Sequence, residues 1–169
     1  MSEQAPRSTA MHKVLIVDDI EENRALLDRV LKSAGYATVH AASGREALAI
    51  ISTDVPDIVL LDWMMPELSG LETLREIRLI HPKTHLPVIM CTAMDEDASI
   101  VTALAEGAND YMVKPISLPI LRARMKSHLE QQQAIETLDH ARAQAERKLG
   151  EQARAMFSMM QPRADEPLR

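Results

Sequence analysis

Five times along the chain a short apolar run gives way to a longer segment in which apolar residues recur every three or four positions. The runs cover 13–17, 36–41, 58–61, 86–91 and 110–113. Each is bounded by turn-forming or charged residues, the signature of a strand buried in a parallel sheet. Between them, Glu21-Glu22-Asn23 opens a first helix with Ala25, Leu26, Leu27, Val30 and Leu31 on its apolar face, and Gly35 ends it. Ser43 is a suitable N-cap for a second helix through Ala47, Leu48, Ile50 and Ile51, and Pro56 forces a break before the third strand. A third helix runs from Gly70 to His81 with Leu71, Leu74, Ile77, Leu79 and Ile80, and a fourth starts near Asp95-Glu96-Asp97 and ends at Gly107. Strict alternation of strand and helix implies a parallel sheet covered on both faces, with right-handed crossovers.

The last helix breaks this rhythm. It opens near Leu118-Pro119, and no Pro and a single Gly interrupt it before Pro162. Such a helix would hold about 35 to 40 residues and extend roughly 55 Å, longer than a sheet of this size needs. Leu118, Leu121, Met125 and Leu129 suit packing on the sheet. Ile135, Leu138, Arg142, Ala145, Leu149, Gln152, Met156 and Met159 then follow steps of three and four, six of the eight apolar. This pattern favours a short parallel coiled coil over a lone solvated helix, which would be marginal in water, although Arg142, Gly150 and Gln152 weaken the seam. The expected organisation is a disordered tail over 1–11, one globular domain over 12–128, a helical extension over 129–160 and a second disordered tail over 161–169.

Composition narrows the classes. The chain has 169 residues, 46% of them hydrophobic and only 2% aromatic, so the core must rest on aliphatic residues, Ala and the 11 methionines. A net charge of -6 without a Lys/Arg stripe argues against direct nucleic-acid binding. The one cysteine, Cys91, excludes an internal disulfide and, inside a core strand, reads as a small apolar residue. With no signal-like N-terminus and no 18-residue apolar stretch, the chain is expected to be cytoplasmic and not membrane-spanning.

Chemistry concentrates at the strand ends. The first strand runs into Asp18-Asp19, the third ends in Asp62, the fourth reaches Thr92 and the fifth delivers Lys114-Pro115. In a parallel sheet these ends share one edge, where open α/β folds bind ligands. Three carboxylates crowded there repel one another unless a cation joins them, and oxygen-only ligands favour a hard ion such as Mg²⁺.

In that order, each closing an apolar strand, Asp18-Asp19, Asp62, Thr92 and Lys114-Pro115 resemble the receiver domain of two-component response regulators over roughly residues 12–128. The loop Leu61-Asp62-x-x-Met65-Pro66-x-x-x-Gly70 resembles the one such domains carry after their phosphorylated aspartate. The resemblance implies a flavodoxin-like, doubly wound sheet of five strands in the order 2-1-3-4-5. It also implies that Asp62 accepts a phosphoryl group from a histidine kinase or phosphotransfer protein. Asp19, Asp62 and the Met64 backbone carbonyl would bind the metal directly, and Asp18 through water. Lys114 and Thr92 would contact the phosphoryl oxygens, Tyr111 would move with Thr92, and the Lys114-Pro115 peptide would be cis. Output would pass through the fourth helix, fifth strand and fifth helix, with the C-terminal helix forming a homodimer or docking a partner.

Other readings compete less well. An Asp-nucleophile phosphatase of the haloacid dehalogenase type needs a second acid two residues after the nucleophile, where this chain has Met64. A dinucleotide fold fails because Val17-Asp18-Asp19-Ile20-Glu21 has no glycine-rich loop. The chain also reads as the receiver piece of a larger cyclase, phosphodiesterase or phosphatase regulator. His128 reads as a surface helix histidine rather than a phosphoacceptor. Met64 and Met94, two residues past Asp62 and Thr92, are unable to activate water, so self-dephosphorylation should take many minutes or longer.

Overall fold

The computed structural model describes residues 11–93 and 97–160. Five strands, β1 (Lys13–Val17), β2 (Ala37–Ala41), β3 (Ile58–Asp62), β4 (Val88–Thr92) and β5 (Asp110–Val113), form one parallel sheet in the order β2-β1-β3-β4-β5. They alternate with α1 (Glu21–Ser33), α2 (Gly44–Thr53), α3 (Gly70–Ile80), α4 (Asp97–Ala105) and α5 (Leu118–Met160).

The period of two along each strand splits the core in half. Val14, Ile16, Ile58, Leu60, Ile89 and Cys91 face α1 and α5, where Leu27, Leu31, Leu121, Met125 and Leu129 are buried. Leu15, Val17, Val59, Leu61, Val88 and Met90 point to the other face and pack with Ala47, Ile51, Leu74, Ile77 and Ala103 of α2, α3 and α4. Both faces of β3 and β4 are therefore covered, and every residue of these two strands is buried.

Helix ends follow local chemistry. Ser43 caps α2 by accepting from the Glu46 amide at 3.2 Å. Ser69 and Glu72 form a reciprocal capping box on α3. Gly35 and Gly107, just past the ends of α1 and α4, take positive φ of 88° and 101°. Four expected core residues lie outside: Ala25 is exposed, Leu26 is 53% exposed, Leu79 78% and Ile80 76%. Leu26 adjoins Leu27, which takes the inward place, and Leu79 is two steps and about 200° around the helix from buried Ile77. Ile80 closes the final turn.

The chain divides into two compact units at 132/133. In the first, Leu129 is buried and the Gln132 side chain donates to the His85 carbonyl at 2.8 Å, so the unit runs beyond the expected boundary at 128. In the second, residues 133–160 are helical throughout and exposed at every position except the half-buried Ile135. The expected disordered tails, apart from Met11, and the start of the fourth helix at Asp95 and Glu96 lie outside the described residues.

Candidate acidic site at the sheet edge

The carboxyl ends of β1, β3, β4 and β5 deliver their polar residues to one place. Backbone bonds fix them: the Asp18 amide donates to Ala41 O at 3.2 Å, Trp63 to Cys91 O at 2.9 Å and Lys114 to Thr92 O at 2.7 Å. Carboxylate oxygens of Asp18, Asp19 and Asp62 all lie within 4.8 Å of one another. Asp18 and Asp62 are buried, whereas Asp19 is exposed. Lys114 Nζ reaches between the two buried acids, donating to Asp18 Oδ2 at 2.8 Å and Asp62 Oδ1 at 3.0 Å. The Lys114-Pro115 peptide is cis. Thr92 is buried at the end of β4.

Electrostatics follow from this crowding. Burial, added to by the charges of Asp18 and Asp19, pushes the Asp62 carboxyl above its ordinary value despite the opposing pull of Lys114. For Lys114, burial acts downward, but two carboxylates outweigh it and hold the ammonium above its ordinary value. Both directions agree: one cation serves two buried acids, leaving the trio short of positive charge.

Two side chains and one backbone amide beyond those singled out for the site brace Asp18. Asn23 Nδ2 donates to both Asp18 oxygens at 3.1 Å, and the Ile20 amide donates to Asp18 Oδ1 at 2.9 Å. Arg24 Nη1 donates to the Asp18 carbonyl at 2.6 Å. The signal for Asn23 and Arg24 was their position in the first turn of α1, directly after Asp18-Asp19. At Gly70 a Cβ would stand 2.0 Å from Asp62 O, and the Gly70 amide donates to Trp63 O at 2.9 Å, so the β3–α3 loop folds back tightly against the end of β3.

Other expected residues have settled places. Met64 is 57% exposed beside the site, and Met94 lies outside the described residues. Tyr111 is half-buried against the α2, α3 and α4 face, with the Arg124 guanidinium 5.9 Å from its ring centre. Cys91 is buried and its thiol is pushed up to about 12 by burial, which leaves it inert. His128 is not a plain surface histidine: it is half-buried and its Nε2 lies 3.3 Å from Asp110 Oδ2, with Arg124 on the other carboxylate oxygen. Burial alone would raise the Asp110 carboxyl, but bonds from His128 and the Tyr111 amide and the charge of Arg124 outweigh it and hold it low. None of the helices among the described residues is long and apolar enough to cross a membrane.

Residues 14–126 match the family described as response regulator receiver domain. The alkaline phosphatase synthesis transcriptional regulatory protein PhoP of Bacillus subtilis is 41% identical over 117 residues, which cover 69% of this chain and 48% of that protein. The chain spans about half the length of the curated relatives it matches. Among solved structures, the Francisella response regulator 1452 receiver domain aligns with a TM-score of 0.67 and 32% identity, covering 71% of this chain and 98% of that one. The Vibrio cholerae chemotaxis protein CheY4 aligns with a TM-score of 0.66 and 32% identity, covering 70% and 98%.

Proposed function

The chain belongs to the response regulator receiver family, and from that premise we propose that Asp62 is a phosphoacceptor that takes its phosphoryl group from the phosphohistidine of a histidine kinase or phosphotransfer protein. An Asp62 carboxylate oxygen attacks phosphorus, a P–O bond forms, the P–N bond breaks, and the imidazole leaves with the electron pair. Lys114, already at 3.0 Å from Asp62, stands where it can offset the incoming phosphoryl oxygens. The Thr92 hydroxyl then donates to the phosphoryl group, and Tyr111 repacks with it. Two arrangements of the α4, β5 and α5 face are thereby reweighted by a new dianion.

A divalent cation fits the site. The donors are all oxygens, and Asp18, Asp19 and Asp62 bring three formal negative charges against the single ammonium of Lys114. Asp18, Asp19, Asp62 and the Met64 carbonyl would hold Mg²⁺. Bound there, it would offset the negative charge of the carboxylates and of an incoming phosphoryl group. The protein turns over no separate substrate in this reading. Residues 133–160 serve output by pairing two copies.

The observation that carries the proposal is the Lys114 ammonium shared by two buried carboxylates beside a third acid. Incubating the chain with acetyl phosphate and Mg²⁺, then reading intact mass and sedimentation, tests it. The expected result is one phosphoryl adduct mapping to Asp62, absent in Asp62→Asn and without Mg²⁺. An adduct that survives Asp62→Asn would refute the assignment.

A further inference from the structure

One carboxylate of the acidic site is already fully engaged. Asp18 Oδ1 accepts from the Ile20 amide at 2.9 Å and from Asn23 Nδ2 at 3.1 Å, and Oδ2 accepts from Asn23 Nδ2 at 3.1 Å and from Lys114 Nζ at 2.8 Å. Each oxygen thus takes two donors, which fills the roughly four lone-pair directions a carboxylate offers. The other two acids are more open. Among the described residues the one donor to the Asp62 carboxylate is Lys114, on Oδ1, and Asp19 is exposed. From this we infer that Asn23 sets the cation preference of the site: by closing the chelating face of Asp18 it favours a small ion that keeps its waters, Mg²⁺, over a larger one that takes carboxylates through both oxygens, Ca²⁺. The inference rests on the proposed metal-assisted reading of the site and deepens it.

Equal distances to the two oxygens put Asn23 Nδ2 on their bisector. A cation chelated by this carboxylate would stand on the same bisector, about 2.4 Å from each oxygen, so the amide and the ion exclude one another. The carboxylate cannot turn to offer another edge. It is buried, a backbone amide holds one of its oxygens, and Arg24 Nη1 fixes the Asp18 main chain by donating to its carbonyl at 2.6 Å. Asn23 belongs to the first turn of α1, so the helix sets where its amide reaches.

The two ions respond differently to this closure. Mg²⁺ demands near-octahedral geometry and gives up water reluctantly, so it needs the charge of Asp18 more than a bond to it. Ca²⁺ takes about six to eight oxygens and gains from every carboxylate that chelates. Asn23 withholds both Asp18 oxygens from it, two of the six that the three acids carry. A neutral amide suits this role because it closes the face without altering the charge of the site, whereas an acid here would add a ligand.

The test titrates the full chain with Mg²⁺ and, separately, with Ca²⁺, following Trp63 emission, for the parent, Asn23→Ala, Asn23→Ser and Asn23→Gln. Ala and Ser are too short to bridge both Asp18 oxygens, and Gln keeps the amide. The expected result is a shift of the Kd ratio toward Ca²⁺ by about tenfold in Ala and Ser, the scale of one hydrogen bond to a charged group, with Mg²⁺ affinity little changed and the parental ratio kept in Gln. Thermal melts in divalent-free buffer identify a variant that is not folded, and Ser then stands in for Ala. Parallel weakening of both ions in Ala and Ser would reduce Asn23 to a brace of Asp18 and overturn the inference. An unmoved ratio would overturn it too, as would a shift in Gln equal to that in Ala. A parent whose emission answers neither ion, and which takes no phosphoryl group from acetyl phosphate and Mg²⁺, would instead remove the metal-assisted reading itself.

Discussion

At the scale of single residues, Asp62 is held in a state the fold resists. Its carboxyl is pushed up by burial and by Asp18 and Asp19, so its folded-state value lies above the unfolded one. A group shifted this way favours the folded state fully only below its unfolded pKa, and that contribution is lost as pH rises through the folded-state value. Asp62→Asn is therefore expected to melt higher than the parent at neutral pH in divalent-free buffer. The gap should narrow as the pH is lowered, and again when Mg²⁺ is added to the parent. Thermal melts across that range check the sign, and a constant gap would contradict it. Arg78 presents a different balance. Its half-buried guanidinium, lowered to about 10 by burial, has no carboxylate partner among the described residues and instead donates to the carbonyls of Gly107, His81 and Leu86 and to Asn109 Oδ1. Arg78→Met leaves these acceptors unpaired and should cost ~3 kcal/mol, read as a lower urea midpoint with an unchanged slope.

At the scale of elements, the β3–α3 connection joins stability to the site. Ser69 and Glu72 close the start of α3, and Gly70, the first residue of that helix, lies against the Asp62 backbone. A methyl group at Gly70 has no room unless the end of β3 shifts. Gly70→Ala is expected to destabilise by about 1–3 kcal/mol, the range for overpacking, and to weaken Mg²⁺ binding as well. Trp63, the single tryptophan, sits in this loop, so a metal titration followed by its emission reads the second effect. Unaltered metal affinity would show that the loop absorbs the methyl without moving Asp62.

At the scale of the molecule, the first unit holds the whole candidate site and both core halves. A chain ending at Gln132 should unfold cooperatively and accept phosphoryl like the parent while losing self-association in sedimentation. Ending it at Lys126 removes Leu129 and Gln132 from their buried positions and should cost ~3 kcal/mol, as large core truncations do. Equal stability of the two truncations would mean that the last turn of this unit contributes nothing.

The sequence by itself determined the five alternating strand–helix pairs, the parallel direction of the sheet and the strand-end positions of Asp18, Asp19, Asp62, Thr92 and Lys114, while the strand order came from the family resemblance. Period, capping residues and Gly or Pro breaks are local, and a buried parallel strand leaves a continuous apolar run that any window of the chain displays. Tertiary structure alone decided which of the apolar residues face inward, as Leu26, Leu79 and Ile80 show, because facing depends on where the sheet lies. It also decided that Asn23 and Arg24 brace Asp18, that Gly70 must lack a side chain, and that His128 pairs with Asp110 from 18 residues away. Those are relations across space, and no pattern along a chain encodes a distance between residues that meet only after the sheet has formed.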